Sequence, residues 1–277
     1  MNPIRVTRVL IVITALLLLA PLGASAQDDV ADVPAQDLTV KDQLQQRYFL
    51  IGDAKDAPAK GFGLILVLPG GDGSADFHPF VKRIYKNAIP DGYLMAELVA
   101  VPSKNPNQIV WPTAKLTDKK QTFTTESFIA SVVAEVKAKH KIDPARVFTF
   151  SWSSGGYAAY IASLAKDTPI TGSFVAMSVF PMAQMKPMAA AKGQKYFLLH
   201  SPQDKVCAYS NTRMAKTQLT RAGAAVEVVD YEGGHGWLGD VWGNIAAGIT
   251  WLEETRAPAA APTTAPTTAP TTAPAAK

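Results

Sequence analysis

"FTFSWSSGGY", residues 148–157, joins an aromatic and β-branched run to three serines within four positions and then to two glycines. The run has the composition of a buried strand, and "SGGYAAYIASLAK" (154–166) continues as a helical pattern, so the stretch predicts a strand turning sharply into a helix. A serine at that turn is a candidate nucleophile. The plainer use of serine there is a helix N-cap, whose oxygen accepts from first-turn amides.

Sterics choose among the three. A reactive serine on a strained strand-to-helix turn needs small residues two positions away on each side, so that strand and helix pass without collision. Ser154 would put Trp152 at a small position. Ser151 would put Thr149 there and lies on the strand itself. Ser153, flanked by Ser151 and Gly155, is the frame that fits, with serine at 151 where glycine is usual.

The surrounding chain alternates apolar β-rich runs with helical patterns. Strands are expected at 47–52, 62–69, 93–102, 146–151, 172–178, 195–201 and 224–231, and helices at 124–140, 154–166, 210–223 and 241–256. Thr125 or Ser127 is placed to cap the first of these helices. Several strands are apolar without alternation, as strands buried on both faces are. The expectation is an α/β fold: a mostly parallel central sheet flanked by helices, with no large lid.

Serine at its ordinary pKa is a poor nucleophile, so the reading requires a base, an orienting acid and an oxyanion hole. In elbow enzymes the acid and then the histidine follow the serine along the chain. The chain has four histidines. His78 and His140 precede the serine and are expected to be solvated; His200 lies within a predicted strand and reads as structural. His235, in "YEGGHGWLG" after the last predicted strand, sits where glycines let a loop fold back over the strand ends. Asp204, in "LLHSPQDKVC", is the candidate acid, just beyond a strand on a loop opened by Pro202, although an Asp there can also serve simply as a turn former. For the oxyanion hole, the Ser154 amide directly follows the nucleophile. "LVLPGGDGSADF" offers Gly71 as second donor, with Gly70 as the alternative. That loop lacks the G-x-G-x-x-G spacing and the G-K-[ST] ending of phosphate-binding loops. Trp111, Trp152 and Trp237 lie in or near these loops and are candidates to line a substrate pocket, against their commoner use in a core.

Taken together, "LPGGDG", "IDPARVFTFSWSSGGYAA", "LLHSPQDKV" and "YEGGHGW" resemble the α/β-hydrolase superfamily, most closely small lidless esterases of the phospholipase/carboxylesterase type and secreted polyhydroxybutyrate-depolymerase-like or feruloyl-esterase-like enzymes. The resemblance covers roughly residues 47–255. It implies Ser153 as nucleophile, Asp204 as acid, His235 as base, Gly71 and Ser154 as oxyanion donors, and no metal or organic cofactor. Pro69 stands where many relatives have histidine.

The ends read differently from the body. Residues 1–26 place Arg5 and Arg8 before the apolar run Val9–Ala20 and end in Ala24-Ser25-Ala26, the pattern of a secretory signal peptide cleaved before Gln27. An uncleaved anchor would need about 20 apolar residues. Residues 27–45 read as a polar lead-in, 46–256 as the catalytic domain and 257–277 as an extended tail repeating Ala-Pro-Thr-Thr three times. The tail is either a stalk for cell-wall or glycan association or a spacer without a role.

The formal charge of +4 falls to +2 once the two leader arginines are removed, which gives no footing for nucleic acid or an anionic membrane surface. Cys207 is the only cysteine, so an exported form has no internal disulfide. These features together predict a secreted or periplasmic serine esterase acting on a small-molecule or polysaccharide-linked ester, with no membrane span after cleavage. The rival readings are a prolyl-oligopeptidase-like peptidase, whose usual gating domain this chain has no room for, and a non-catalytic binding protein built on the same fold.

Overall fold

The computed structural model describes residues 28–102, 109–117 and 121–255. The expected signal peptide and the Ala-Pro-Thr-Thr tail lie outside the described residues.

Eight strands form one sheet: β1 (Ala35–Thr39), β2 (Arg47–Ile51), β3 (Phe62–Leu68), β4 (Tyr93–Leu98), β5 (Ile142–Trp152), β6 (Gly172–Ala176), β7 (Lys195–His200) and β8 (Ala225–Asp230). Their spatial order is β1-β2-β4-β3-β5-β6-β7-β8. β1 and β2 run antiparallel to their neighbours, and all pairs from β4 to β8 are parallel. Among the described residues five α-helices flank the sheet: α1 (His78–Ala88), α2 (Thr125–Lys139), α3 (Ser154–Ala162), α4 (Ser210–Arg221) and α5 (Val241–Glu254). Among the described residues no large lid stands over the sheet, and no helix is long and apolar enough to cross a membrane.

Successive residues of a strand face opposite sides, and β3 shows what that does to the core. Ile65 and Val67 join a cluster with Val81 and Ile84 of α1 and Ile245 and Ile249 of α5. Leu64, Leu66 and Leu68 join the opposite cluster with Phe128, Val132 and Val136 of α2 and Ala158 of α3. α4 extends this second face through Ala215 and Leu219, packed with Tyr196 and Leu198 of β7. β3, β4 and β7 are buried along their whole length, which explains their unbroken apolar runs.

Three sequence expectations need correction. The lead-in 27–45 is not merely a tail: Ala35–Thr39 pairs as the sheet's edge strand, and because nearly all of it is exposed it carries no apolar signal. α1 was not expected, although Pro79 at its start and the buried Val81, Ile84 and Ala88 at helical spacing mark it. α2 is capped by Thr124 rather than Thr125 or Ser127: the Thr124 hydroxyl accepts from the Ser127 amide, and the Ser127 hydroxyl accepts from the Thr124 amide.

Candidate active site

The loops that follow β3, β5, β7 and β8 leave the sheet at the carboxyl ends of parallel strands, where open α/β sheets place their sites. β5 lies beside β3 near the middle, and one residue separates its last, Trp152, from the start of α3. Ser153 is the hinge between them, with φ 50° and ψ −120°, a conformation costing an L-residue roughly 1–3 kcal/mol. Neighbours hold it there: the Ser153 amide donates to Ala176 O at 3.1 Å, and the Ser178 hydroxyl donates to Ser153 O at 2.7 Å.

The need for small flanks is visible. A Cβ on Gly155 would stand 2.1 Å from the Leu68 carbonyl oxygen, and one on Gly156 would stand 2.5 Å from the Ser178 side chain. On the other flank Ser151 is fully buried and its hydroxyl donates to Phe174 O at 3.1 Å, so serine fits this position and finds a partner.

Ser153 Oγ lies 3.0 Å from His235 Nε2, and His235 Nδ1 lies 2.8 Å from Asp204 Oδ2. A carboxylate only accepts, so Nδ1 carries the ring proton, and Nε2 is left to accept from the Ser153 hydroxyl. Asp204 is buried, and its Oδ1 accepts from the amides of Val206 at 2.8 Å and Cys207 at 2.9 Å. Burial alone would raise its carboxyl, but the His235 hydrogen bond, those two amides and the histidine's charge outweigh burial and hold it below the ordinary carboxylate value. The His235 loop is tied down by Tyr231, whose hydroxyl donates to Gly234 O at 2.8 Å, and by the Gly234 amide, which donates to Ser201 Oγ at 3.0 Å. Gly233 and Gly234, at φ 130° and 84°, make the reversal that brings His235 over the strand ends.

The 69–77 loop borders the same space. Its backbone is anchored by the Trp111 indole donating to Pro69 O at 3.0 Å and by the Ala100 amide donating to Gly73 O at 2.9 Å. The Ser154 hydroxyl joins loop to elbow by donating to Gly71 O at 2.8 Å. Gly71 has φ 59°, and Phe77 packs beneath it. Among the described residues neither the Gly71 nor the Ser154 amide donates to another protein group, and a helix's first-turn amide has no intrahelical acceptor to use.

The tryptophans divide. Trp111 and Trp152, expected to line a pocket, are 4% and 5% exposed and belong to the core instead. Trp111 braces the Pro69 loop, while Trp152 abuts Gly70 and meets Phe77, Phe80 and Phe150 edge-on. Trp237 is half-buried and stacks on Phe150 at 5.8 Å between ring centroids.

His78 corrects a further expectation. It is only partly solvated: its Nδ1 lies 2.6 Å from Glu97 Oε2, and its ring stacks on Phe49 at 3.9 Å. Burial pushes the fully buried Glu97 carboxyl up, against the opposing pull of His78 and Arg47. His140 is half-buried at the end of α2. Cys207 is buried, and burial, aided by the nearby Asp204 charge, pushes its thiol up to about 11, leaving it unreactive at neutral pH. Among the described residues no group of three or more His, Cys, Asp or Glu is placed to hold a metal ion.

No protein-family model matches the sequence, and neither does any curated protein. Solved structures do match in fold. MGS-M1, an α/β-hydrolase enzyme from a Medee basin deep-sea metagenome library, superposes with a TM-score of 0.60 at 13% identity, over 80% of this chain and 97% of its own. The Bacillus cereus carboxylesterase gives a TM-score of 0.55 at 15% identity, over 80% and 94%. The Porphyromonas gingivalis dipeptidyl peptidase 4 gives 0.56 at 12% identity, over 80% of this chain but 35% of its own. With the strand order, the elbow at Ser153 and these likenesses together, the chain has the α/β-hydrolase fold.

Proposed function

We propose that this protein is an exported serine hydrolase that cleaves carboxylic esters through an acyl-enzyme. The observation that carries the reading is the line Ser153 Oγ to His235 Nε2 to Asp204 Oδ2, at 3.0 and 2.8 Å, beside the undonated amides of Ser154 and Gly71. In the proposed reaction His235 Nε2 takes the Ser153 proton as Oγ bonds to the ester carbonyl carbon. The two amides receive the charge on the carbonyl oxygen, and Asp204 holds the imidazolium in place. Collapse breaks the ester C–O bond, and His235 returns the proton to the departing alcohol. Water, deprotonated in turn by His235, releases the acid and restores Ser153.

A fluorophosphonate probe should label Ser153, seen by peptide mass, and a panel of esters graded in acyl length, with acetylated and feruloylated polysaccharides included, should show turnover. Absence of both adduct and turnover would leave a binding protein on a hydrolase fold. The likeness to a dipeptidyl peptidase supports peptide hydrolysis by the same three residues as a second reading. Cleavage of proline dipeptide anilides at rates matching the best ester would favour it.

A further inference from the structure

The mechanism above uses one histidine, yet a second imidazole sits on the same carboxylate. His200 is the last residue of β7 and is 1% exposed. Its Nε2 lies 3.1 Å from Asp204 Oδ2, the oxygen that faces His235, and 2.9 Å from the Cys207 carbonyl oxygen. Both neighbours only accept, so Nε2 carries a proton shared between them. At the other end of the ring Nδ1 lies 2.5 Å from Thr212 Oγ1 of α4, and Tyr209 meets the ring edge-on at 5.6 Å. The ring is therefore clamped at both nitrogens, with the Thr212 hydroxyl able to donate to Nδ1.

We propose that His200 is a positioning residue for the reaction: it holds Asp204 Oδ2 on His235 Nδ1 and tempers the basicity of that carboxylate. The inference rests on the Ser153 ester-hydrolase reading. Asp204 receives four donors, two amides on Oδ1 and two imidazoles on Oδ2. Each hydrogen bond to an ionised carboxylate spreads its charge and lowers its affinity for a proton. With the His200 donor gone, Oδ2 would pull harder on the His235 imidazolium, so His235 would release its proton at higher pH. The carboxylate would also be free to turn, and misplacing the base lowers turnover.

The other ionisable groups around the ring are Cys207 and Tyr209 of the same loop, with Arg213 stacked on Tyr209, Asp230 at the end of β8 bonded to the Tyr209 hydroxyl, Tyr231, and His235. None of their side chains hydrogen-bonds the His200 ring, so Asp204 is the route by which His200 acts.

The test compares His200→Leu, His200→Gln and Thr212→Val in the full chain, each measured for kcat, KM, the pH profile of kcat/KM and melting temperature. Leucine removes the donor, and glutamine can place an amide N–H near the Nε2 position. Expected for His200→Leu is a loss in kcat on the order of 10–100-fold, KM changed little, and an acid limb displaced to higher pH. Glutamine should restore both rate and profile most of the way. A folded leucine variant with native kcat and profile would overturn the proposal, as would leucine and glutamine failing equally with a common fall in melting temperature. Should the leucine variant not fold, Thr212→Val decides: an upward-shifted limb supports the clamp and an unchanged profile overturns it. Ser153→Ala runs alongside, because an active Ser153→Ala would defeat the underlying reading whatever His200 does, whereas an inactive one with a native-like His200→Leu defeats the present inference alone.

Discussion

The Ser154 hydroxyl donates a 2.8 Å hydrogen bond to the carbonyl of Gly71, so the residue after the elbow serine ties the neighbouring glycine loop to the helix start. Ser154→Ala keeps the backbone amide and loses only this tie. It should therefore lower kcat about tenfold or less, below the 10²–10³ typical of losing an oxyanion donor itself. Ser153→Ala should lower kcat/KM by about 10⁴ or more while the protein stays folded. Steady-state kinetics on one short acyl ester, with circular dichroism beside it, checks both; an inactive Ser154→Ala beside an active Ser153→Ala would reverse the assignment.

Gly155 is where the elbow is least forgiving. An added Cβ meets the Leu68 carbonyl at 2.1 Å, and a backbone atom of the central strand β3 cannot swing aside. Gly155→Ala should cost at least the upper end of the roughly 1–3 kcal/mol of ordinary overpacking. Gly156→Ala meets the Ser178 side chain, which can change rotamer, and should cost less. Denaturant midpoints of the two variants should fall in that order; equal midpoints would mean that the strand-to-helix crossing relaxes easily.

Much of this is legible in the sequence because the controlling physics is local. Ser153 is singled out by asking which frame leaves room for strand and helix, and the clash a Cβ on Gly155 would make is that same requirement seen in space. The apolar strands announced themselves through burial on both faces. What was not legible depended on partners distant in the chain. β1 is mostly exposed and held by its ladder to β2, the Asp37–Arg47 ion pair and Leu38 alone packed toward the core, so its residues carry almost no hydrophobic pattern. His78 reads as polar until Glu97, nineteen residues on, is found buried beneath it. The second imidazole on Asp204 had a signal, the spacing of four from His200, but a histidine inside a strand gives no sign of which loop its ring will meet. The tryptophans misled because loop position says nothing about which way a ring packs.

The open carboxyl end makes a prediction about substrate form. Among the described residues no large lid covers the elbow, and on the esterase reading substrate should reach Ser153 without displacing an apolar element. Short acyl esters should be cleaved faster than long ones, and the rate should climb smoothly as substrate passes its solubility limit. A sharp jump at that limit, measured with an emulsified series of increasing acyl length, would reveal a gating element.

On the proposed reading Asp204 serves both activity and stability, each of which falls in acid but over a different pH range, and a single substitution tests both. In the proposed reaction His235 takes the Ser153 proton in its neutral form, so kcat/KM should rise from an acid limb to a plateau. Asp204→Asn should lower the plateau by about 10⁴, because the amide favours the wrong imidazole tautomer. Stability follows the carboxyl instead. Its native pKa lies below the ordinary value of about 3.9, so the ionised form is bound more tightly by the fold than by the unfolded chain. That contribution is fully present above about pH 4 and is lost as pH falls through the lowered native value. Urea unfolding of the parent and Asp204→Asn should therefore differ most at neutral pH, where the parent keeps its four donors on a full negative charge, and converge in strong acid. A stability gap that stays constant from pH 7 to about pH 2 would show that the carboxylate's charge adds nothing to the fold, and that the four donors around it serve geometry alone.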